Sequence, residues 1–155
     1  MTKEERKQLA YDNFKKGYNC CQSVVLAYAD VLPPDKEILE KVTLGFGAGF
    51  GRTRNLCGAV SAFGFVTGLL HYKEETLADD KTDVYKQITE LDEKFKALNG
   101  TDICRELLKN VKNLTAGYVP DVRDEEYYKV RPCAKFVIDS AGLIYDHLSE
   151  RGIIK

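Results

Sequence analysis

The sequence has almost no net charge, since 23 basic side chains stand against 24 acidic ones for a formal charge of −1. No global field therefore draws it to nucleic acid or to an anionic membrane. A long apolar run is missing as well. The longest uncharged stretch, Asn55 to Leu70, falls short of the roughly 20 residues needed to span a bilayer and reads as a buried helix, so no membrane span is expected. Met1 to Lys7 is densely charged where a secretory leader needs apolar residues, and no lipidation motif follows. Export is not expected, and the expected location is the cytoplasm.

Strand signals are nearly absent too. There is no sustained period-two alternation and no Asn-Gly or Asp-Gly hairpin turn, which excludes a sheet-based fold. No CxxC pair occurs, so neither a thioredoxin-type motif nor a zinc ribbon is written here. Gly45 to Gly51 matches neither GxGxxG nor the lysine-bearing phosphate loop, and no strand precedes it. No serine sits in a nucleophile elbow, and the acidic runs Asp79-Asp80 and Asp124 to Glu126 lack the spacing of a calcium loop and read as solvated helix starts.

What remains is a chain of 155 residues, 44% hydrophobic and 30% charged, with apolar side chains recurring at helical spacing. That pattern predicts an all-α fold, a single helical domain over residues 1–155 with about six or seven helices around an apolar central one. Thr2 caps a first helix through Lys16, with Gly17 as its stop. Asn19 caps a second to about Val31, ahead of Pro33 and Pro34, and Asp35 starts a third. Gly45 to Gly51 forms a flexible connector to Arg52, Thr53, Arg54 and Asn55. The central helix runs from about Leu56 to His71, with Cys57, Ser61, Gly64 and Gly68 as a stripe of small side chains that lets a neighbouring backbone approach. A fifth helix covers about Thr82 to Leu98, and a short sixth follows Asp102. After a polar connector, a seventh runs from near Pro132 to about Leu148. Tyr127, Tyr128 and Tyr145 read as core or rim aromatics, and His71 and His147 as positive charges suited to helix carboxyl ends.

Five cysteines are an odd number in a chain expected where thiols stay reduced, which argues against a static disulfide framework. Cys20, Cys57, Cys104 and Cys133 each fall in the first turn of a predicted helix, where unpaired backbone amides and the positive end of the macrodipole favour a thiolate. Cys133 precedes Val137 by four residues, and Cys104 precedes Leu107 and Leu108 by three and four, so both thiols head apolar stripes and point inward. Four inward thiols at helix starts can meet at one end of a bundle. Arg52 and Arg54 follow the glycine-rich connector as anion contacts or thiolate stabilisers.

At these residues the chain resembles a bacterial redox-active family named for its C…GCAxxG…C…C pattern. The resemblance rests on Gly17-Tyr18-Asn19-Cys20-Cys21-Gln22-Ser23-Val24, the stretch Gly45 to Gly51, Cys57-Gly58-Ala59-Val60-Ser61, Cys104-Arg105-Glu106-Leu107-Leu108 and Arg131-Pro132-Cys133-Ala134. It implies that Cys20, Cys57, Cys104 and Cys133 are the signature cysteines and that Cys21 is an accessory thiol. In one departure, Ala62 stands where the family motif has its second glycine.

Three functions fit these residues. The first is a thiol-dependent oxidoreductase in which a thiolate, with Cys57 favoured, attacks an oxidant or disulfide and another signature cysteine resolves it; the partner would be a redox protein or a small thiol or disulfide. The second is a metal-binding module that holds zinc or an iron-sulfur cluster through the same four thiolates. The third is a helical interaction protein whose cysteines only pack. Assembly as a homo-oligomer stays open.

Overall fold

Side-chain caps begin the first three helices of the computed structural model, which describes residues 1–73, 77–115 and 117–155. Thr2 accepts from the Glu5 amide at 3.2 Å and starts α1, Lys3–Lys15. Asn19 accepts from the Gln22 amide at 2.9 Å while Gln22 accepts from the Asn19 amide at 3.1 Å, a reciprocal cap that opens α2, Cys20–Leu26. Asp35 accepts from the Ile38 amide at 3.0 Å and starts α3, Lys36–Thr43. A single 3₁₀ turn, Leu44–Phe46, follows.

The remaining helices are α4 Gly58–His71, α5 Leu77–Asn99, α6 Cys104–Leu107, α7 Glu125–Val130 and α8 Cys133–Glu150. Among the described residues there are thus eight α-helices and no strand, and the fold is all-α. No helix among them is long and apolar enough to cross a membrane. The helix beyond the expected seven is α7, capped by Asp124 through the Tyr127 amide at 2.9 Å inside what reads as a polar connector. The acidic run Asp124 to Glu126 is its start. α2 ends well before Val31, because the chain tightens into i→i−3 turns such as Ala27 to Val24 at 3.1 Å and Tyr28 to Val25 at 3.0 Å. That turn aims the Ala27 carbonyl at the buried Arg6 guanidinium, 2.8 Å away, which also pairs with Asp30.

α2, α4 and α8 run in one direction, and α1 and α5 return. Tyr28 donates to the Ala141 carbonyl and Ser140 to the Ala59 carbonyl, each at 2.6 Å, which ties the three parallel helices together. Lys3 meets Asp146 at 2.7 Å, so the start of α1 lies by the end of α8. Lys135 reaches Asn99 and His147 reaches Gln87, both at 2.7 Å, which sets α5 antiparallel to α8. One contiguous core of buried apolar side chains, with Phe14, Tyr28, Phe63, Phe95 and Leu148 among its members, fills the space between. The central place expected for α4 is shared: α4 packs on α2, α5 and α8, while α8 touches α1, α2, α4 and α5.

The stripe expected to admit a close neighbour along α4 does not do so. A Cβ added at Gly64 would lie 3.8 Å from Ile88 and one at Gly68 would meet nothing within 4 Å. The close approach is at the first residue of the helix, Gly58, where a Cβ would lie 2.7 Å from the Phe46 carbonyl, 3.0 Å from the Cys21 amide and 3.2 Å from Cys20 Cβ. This glycine lets the start of α4 sit against the start of α2.

Candidate functional site: a thiol and guanidinium cavity

The segment read as a flexible connector is a left-handed turn. Ala48, Gly49, Phe50, Gly51 and Arg52 have φ of 51°, 72°, 74°, 57° and 63°, and Arg54 follows at 61°. Left-handed backbone costs an L-residue roughly 1–2 kcal/mol, so the run must be held from outside. Gly51 donates to the Gly45 carbonyl and Asn55 to the Gly49 carbonyl, both at 2.8 Å, and the Thr53 hydroxyl adds a bond to Gly49 at 2.8 Å. Two glycines let the turn thread between helix starts. A Cβ at Gly47 would lie 2.7 Å from the Asn19 side chain, and one at Gly49 would lie 2.6 Å from Cys104 Cβ and from Arg54 Cα.

An isolated antiparallel bridge, Leu56 to Ile103, then sets Cys57 and Cys104 in register. The Cys57 amide donates to the Asp102 carbonyl at 2.8 Å and the Cys104 amide to the Asn55 carbonyl at 2.6 Å. Cys20, Cys104 and Cys133 are the first residues of α2, α6 and α8, and Cys57 is the N-cap of α4. All four line one cavity of about 530 Å³ together with Arg52, Arg54, Arg123 and Arg131. Cys21 does not line it; its side chain faces the core and is fully buried.

The thiols are not equivalent. Cys133 is held below the ordinary thiol value, first because the Cys20 thiol donates to it, and then, against its burial, by the charges of Arg131, Arg123 and Arg54. Cys20 is pushed up in turn by that hydrogen bond, by burial and by the neighbouring sulfur. Within the pair, that interaction favours a thiolate on Cys133 over one on Cys20. Burial pushes Cys57 up to about 12, although the Ala59 and Val60 amides pull the other way. Cys104 is also raised by burial, with the Arg54 guanidinium 3.8 Å from its sulfur as partial compensation. The sequence reading favoured Cys57; in the fold, burial raises that thiol against the pull of the helix-start amides, whereas Cys133 is lowered.

Arg52, Arg54 and Arg131 converge on a single carboxylate. Their Nη2 atoms lie 3.3, 3.4 and 3.1 Å from Asp121, and their side chains are only 9%, 9% and 7% exposed. Burial raises the Asp121 pKa, but the Thr115 hydroxyl with Arg131 and Arg52 outweighs it and holds the carboxyl below its usual range. Arg52 also bonds Gly117 and Thr115, and Arg54 bonds the Thr115 carbonyl at 3.2 Å. Arg123 donates to the Phe14 and Tyr18 carbonyls at 3.0 and 3.2 Å, with its guanidinium 4.4 Å over the Phe14 ring.

Asp121 and Arg123 escaped the sequence reading, which took Tyr127 only as a core or rim aromatic and Arg131 only as part of the motif around Cys133; all four line the cavity. The available signal was Arg131 standing two residues before Cys133; nothing local marks Asp121 or Arg123. All five cysteines are free thiols, and no two sulfurs stand at disulfide distance. Among the described residues no three or more Cys, His, Asp or Glu are arranged to hold a metal ion, so the four signature thiols share a cavity without the spacing of a four-thiolate site.

Comparison with curated proteins found no match, and comparison with solved structures found none. A family model described as "Putative redox-active protein (C_GCAxxG_C_C)" matches residues 18–147, a span that holds all four cavity cysteines, and the chain belongs to that family.

Proposed function

We propose that the protein carries out thiol-disulfide exchange with Cys133 as nucleophile and Cys20 as the resolving thiol. The observation that carries this reading is the meeting of Cys20 and Cys133 at the wall of one cavity, where Cys20 and three guanidiniums favour a thiolate on Cys133. The Cys133 thiolate attacks one sulfur of a disulfide, whose S–S bond breaks, and the electron pair leaves with the departing thiolate. Cys20 then gives up its proton and attacks Cys133 Sγ, which expels the second thiolate. The substrate disulfide gains two electrons, and Cys20 and Cys133 lose them as they join. Closing that bond draws the starts of α2 and α8 together, since disulfide geometry brings Cα atoms within roughly 7 Å.

The test is to oxidise the reduced protein with hydroxyethyl disulfide and map the linked peptides by mass spectrometry. A Cys20 to Cys133 link formed in a single turnover is the expected result. A dominant link through Cys57, or no link at all, would remove this assignment.

A further inference from the structure

The lining of the cavity holds four guanidiniums and one carboxylate, an excess of three positive charges in a chain whose total is −1. A Cys133 thiolate removes one of them. Buried guanidiniums lose hydration and recover it only through anionic or polar partners. Asp121 serves three of the four, and the acceptors that Thr115, Gly117, Phe14 and Tyr18 add to Arg52, Arg54 and Arg123 are neutral, so the positive charge is only partly balanced. Arg54, which is buried, lines the cavity with an Nε that has no partner among the described residues. The wall around these charges also has an apolar part, from Leu107, Leu108 and Phe136. At about 530 Å³ the space suits a small molecule.

We infer that this cavity is a binding site for small disulfides that carry carboxylate groups, which the guanidiniums of Arg54 and Arg131 hold while the disulfide sulfur meets Cys133. The inference rests on the exchange reading, because the thiol pair is what calls for a disulfide; the unpaired positive charge is what calls for an anion. A low-dielectric cleft of one sign concentrates ligands of the other, and charge-assisted bonds to a carboxylate add orientation. The reaction balances as before: one substrate disulfide becomes two carboxylate-bearing thiols as Cys20 and Cys133 become a disulfide.

Three disulfides of similar size test it on the unaltered protein: dithiodipropionate, which is anionic, hydroxyethyl disulfide, which is neutral, and cystamine, which is cationic. The rate of Cys20 to Cys133 linkage is measured for each and divided by the rate of the same reagent with a small neutral thiol, which cancels leaving-group differences. The anionic reagent should exceed the neutral one by about tenfold or more, with cystamine slowest. Arg54→Gln and Arg131→Gln should each narrow that spread, with circular dichroism as the check that the helices persist. Equal normalised rates, or cystamine fastest, would overturn the anion site and leave the exchange reading standing. Failure of all three to join Cys20 to Cys133 would overturn both.

Discussion

α4 and α8 lie side by side and bury polar chemistry at both of their ends, yet the two ends are built differently. Where they start, Cys57 and Cys133 open on a cavity with surplus positive charge. Where they finish, His71 and His147 are as deeply buried, at 8% and 6% exposure, and neither lines that cavity. His147 Nε2 meets Gln87 Oε1 at 2.7 Å, and Gln87 Nε2 donates to Asp83 at 3.1 Å, which makes the imidazole the donor of the first bond. His71 Nδ1 meets the Thr67 carbonyl at 2.9 Å. The finishing end thus links His147 through Gln87 to Asp83, which pairs with Arg151 at 3.6 Å, while His71 bonds its own helix. Buried polarity alone does not make a site; charge left unbalanced around open space does.

The largest break in this comparison should come from Cys133→Ser. With the lowered thiol gone, Cys57 and Cys104 stay raised by burial, Cys57 to about 12, and burial still raises Cys20. Thiolate fraction falls tenfold per pKa unit, so disulfide exchange near neutral pH should drop by about a thousandfold while circular dichroism is unchanged. His147→Leu, at the other end, should alter the same rate by less than about twofold. A Cys133→Ser variant that keeps its rate, or a Cys57→Ser variant that loses as much, would return the leading role to Cys57.

Two glycines sharpen the contrast through stability. Gly49 sits at φ 72° with no room for a Cβ beside Cys104, so Gly49→Ala should destabilise the protein by about 2 kcal/mol or more. Gly68 is helical with open space at its Cβ, and Gly68→Ala should stabilise by about 0.5–1 kcal/mol. Urea titration reads both. A mild Gly49→Ala would mean that the left-handed turn relaxes without its neighbours.

The parts of this site that were legible in the sequence are local in origin. Caps at Thr2, Asn19 and Asp35 are written within three residues of the amides they accept from, and four cysteines at helix starts follow from the same local signals. The turn at 48–52 was not legible, because three of its five left-handed residues carry a Cβ and are held by bonds that pass over the usual turn spacing. Asp121 lies more than sixty residues from Arg52 and Arg54, and only the fold brings them together. Burial, the force that reorders the thiols, is likewise a tertiary property. Helix starts alone would have treated Cys20, Cys57, Cys104 and Cys133 alike.

A smaller effect tests the pairing directly. Cys20→Ala removes the donor that favours the Cys133 thiolate, so the Cys133 pKa should move up and its alkylation by iodoacetamide near pH 7 should slow by about tenfold per unit moved. The reverse direction, or no change, would leave the guanidiniums as the sole cause of the lowered thiol.

The smallest expected effect belongs to the finishing end and concerns pH. Burial first, then the charges of Arg151 and His71, hold His147 below the ordinary histidine value, against the opposing pull of Glu90; Lys94 adds to the lowering. A base whose folded pKa is depressed binds its proton more readily when unfolded. Its contribution to stability is therefore full above the unfolded value of about 6.5 and is lost as pH falls through the folded value. Urea midpoints should thus decline as pH drops from about 7 toward 5, partly through this residue. In His147→Gln, which keeps an amide N–H to offer Gln87 but cannot titrate, that decline should be shallower by the share His147 contributes. Disulfide exchange with hydroxyethyl disulfide should be unaffected at any one pH, because the relay does not reach the thiols. An unchanged slope would show that His147 stays unprotonated in both states over this range or titrates alike in them. A change in exchange rate would mean that the two ends of α8 communicate.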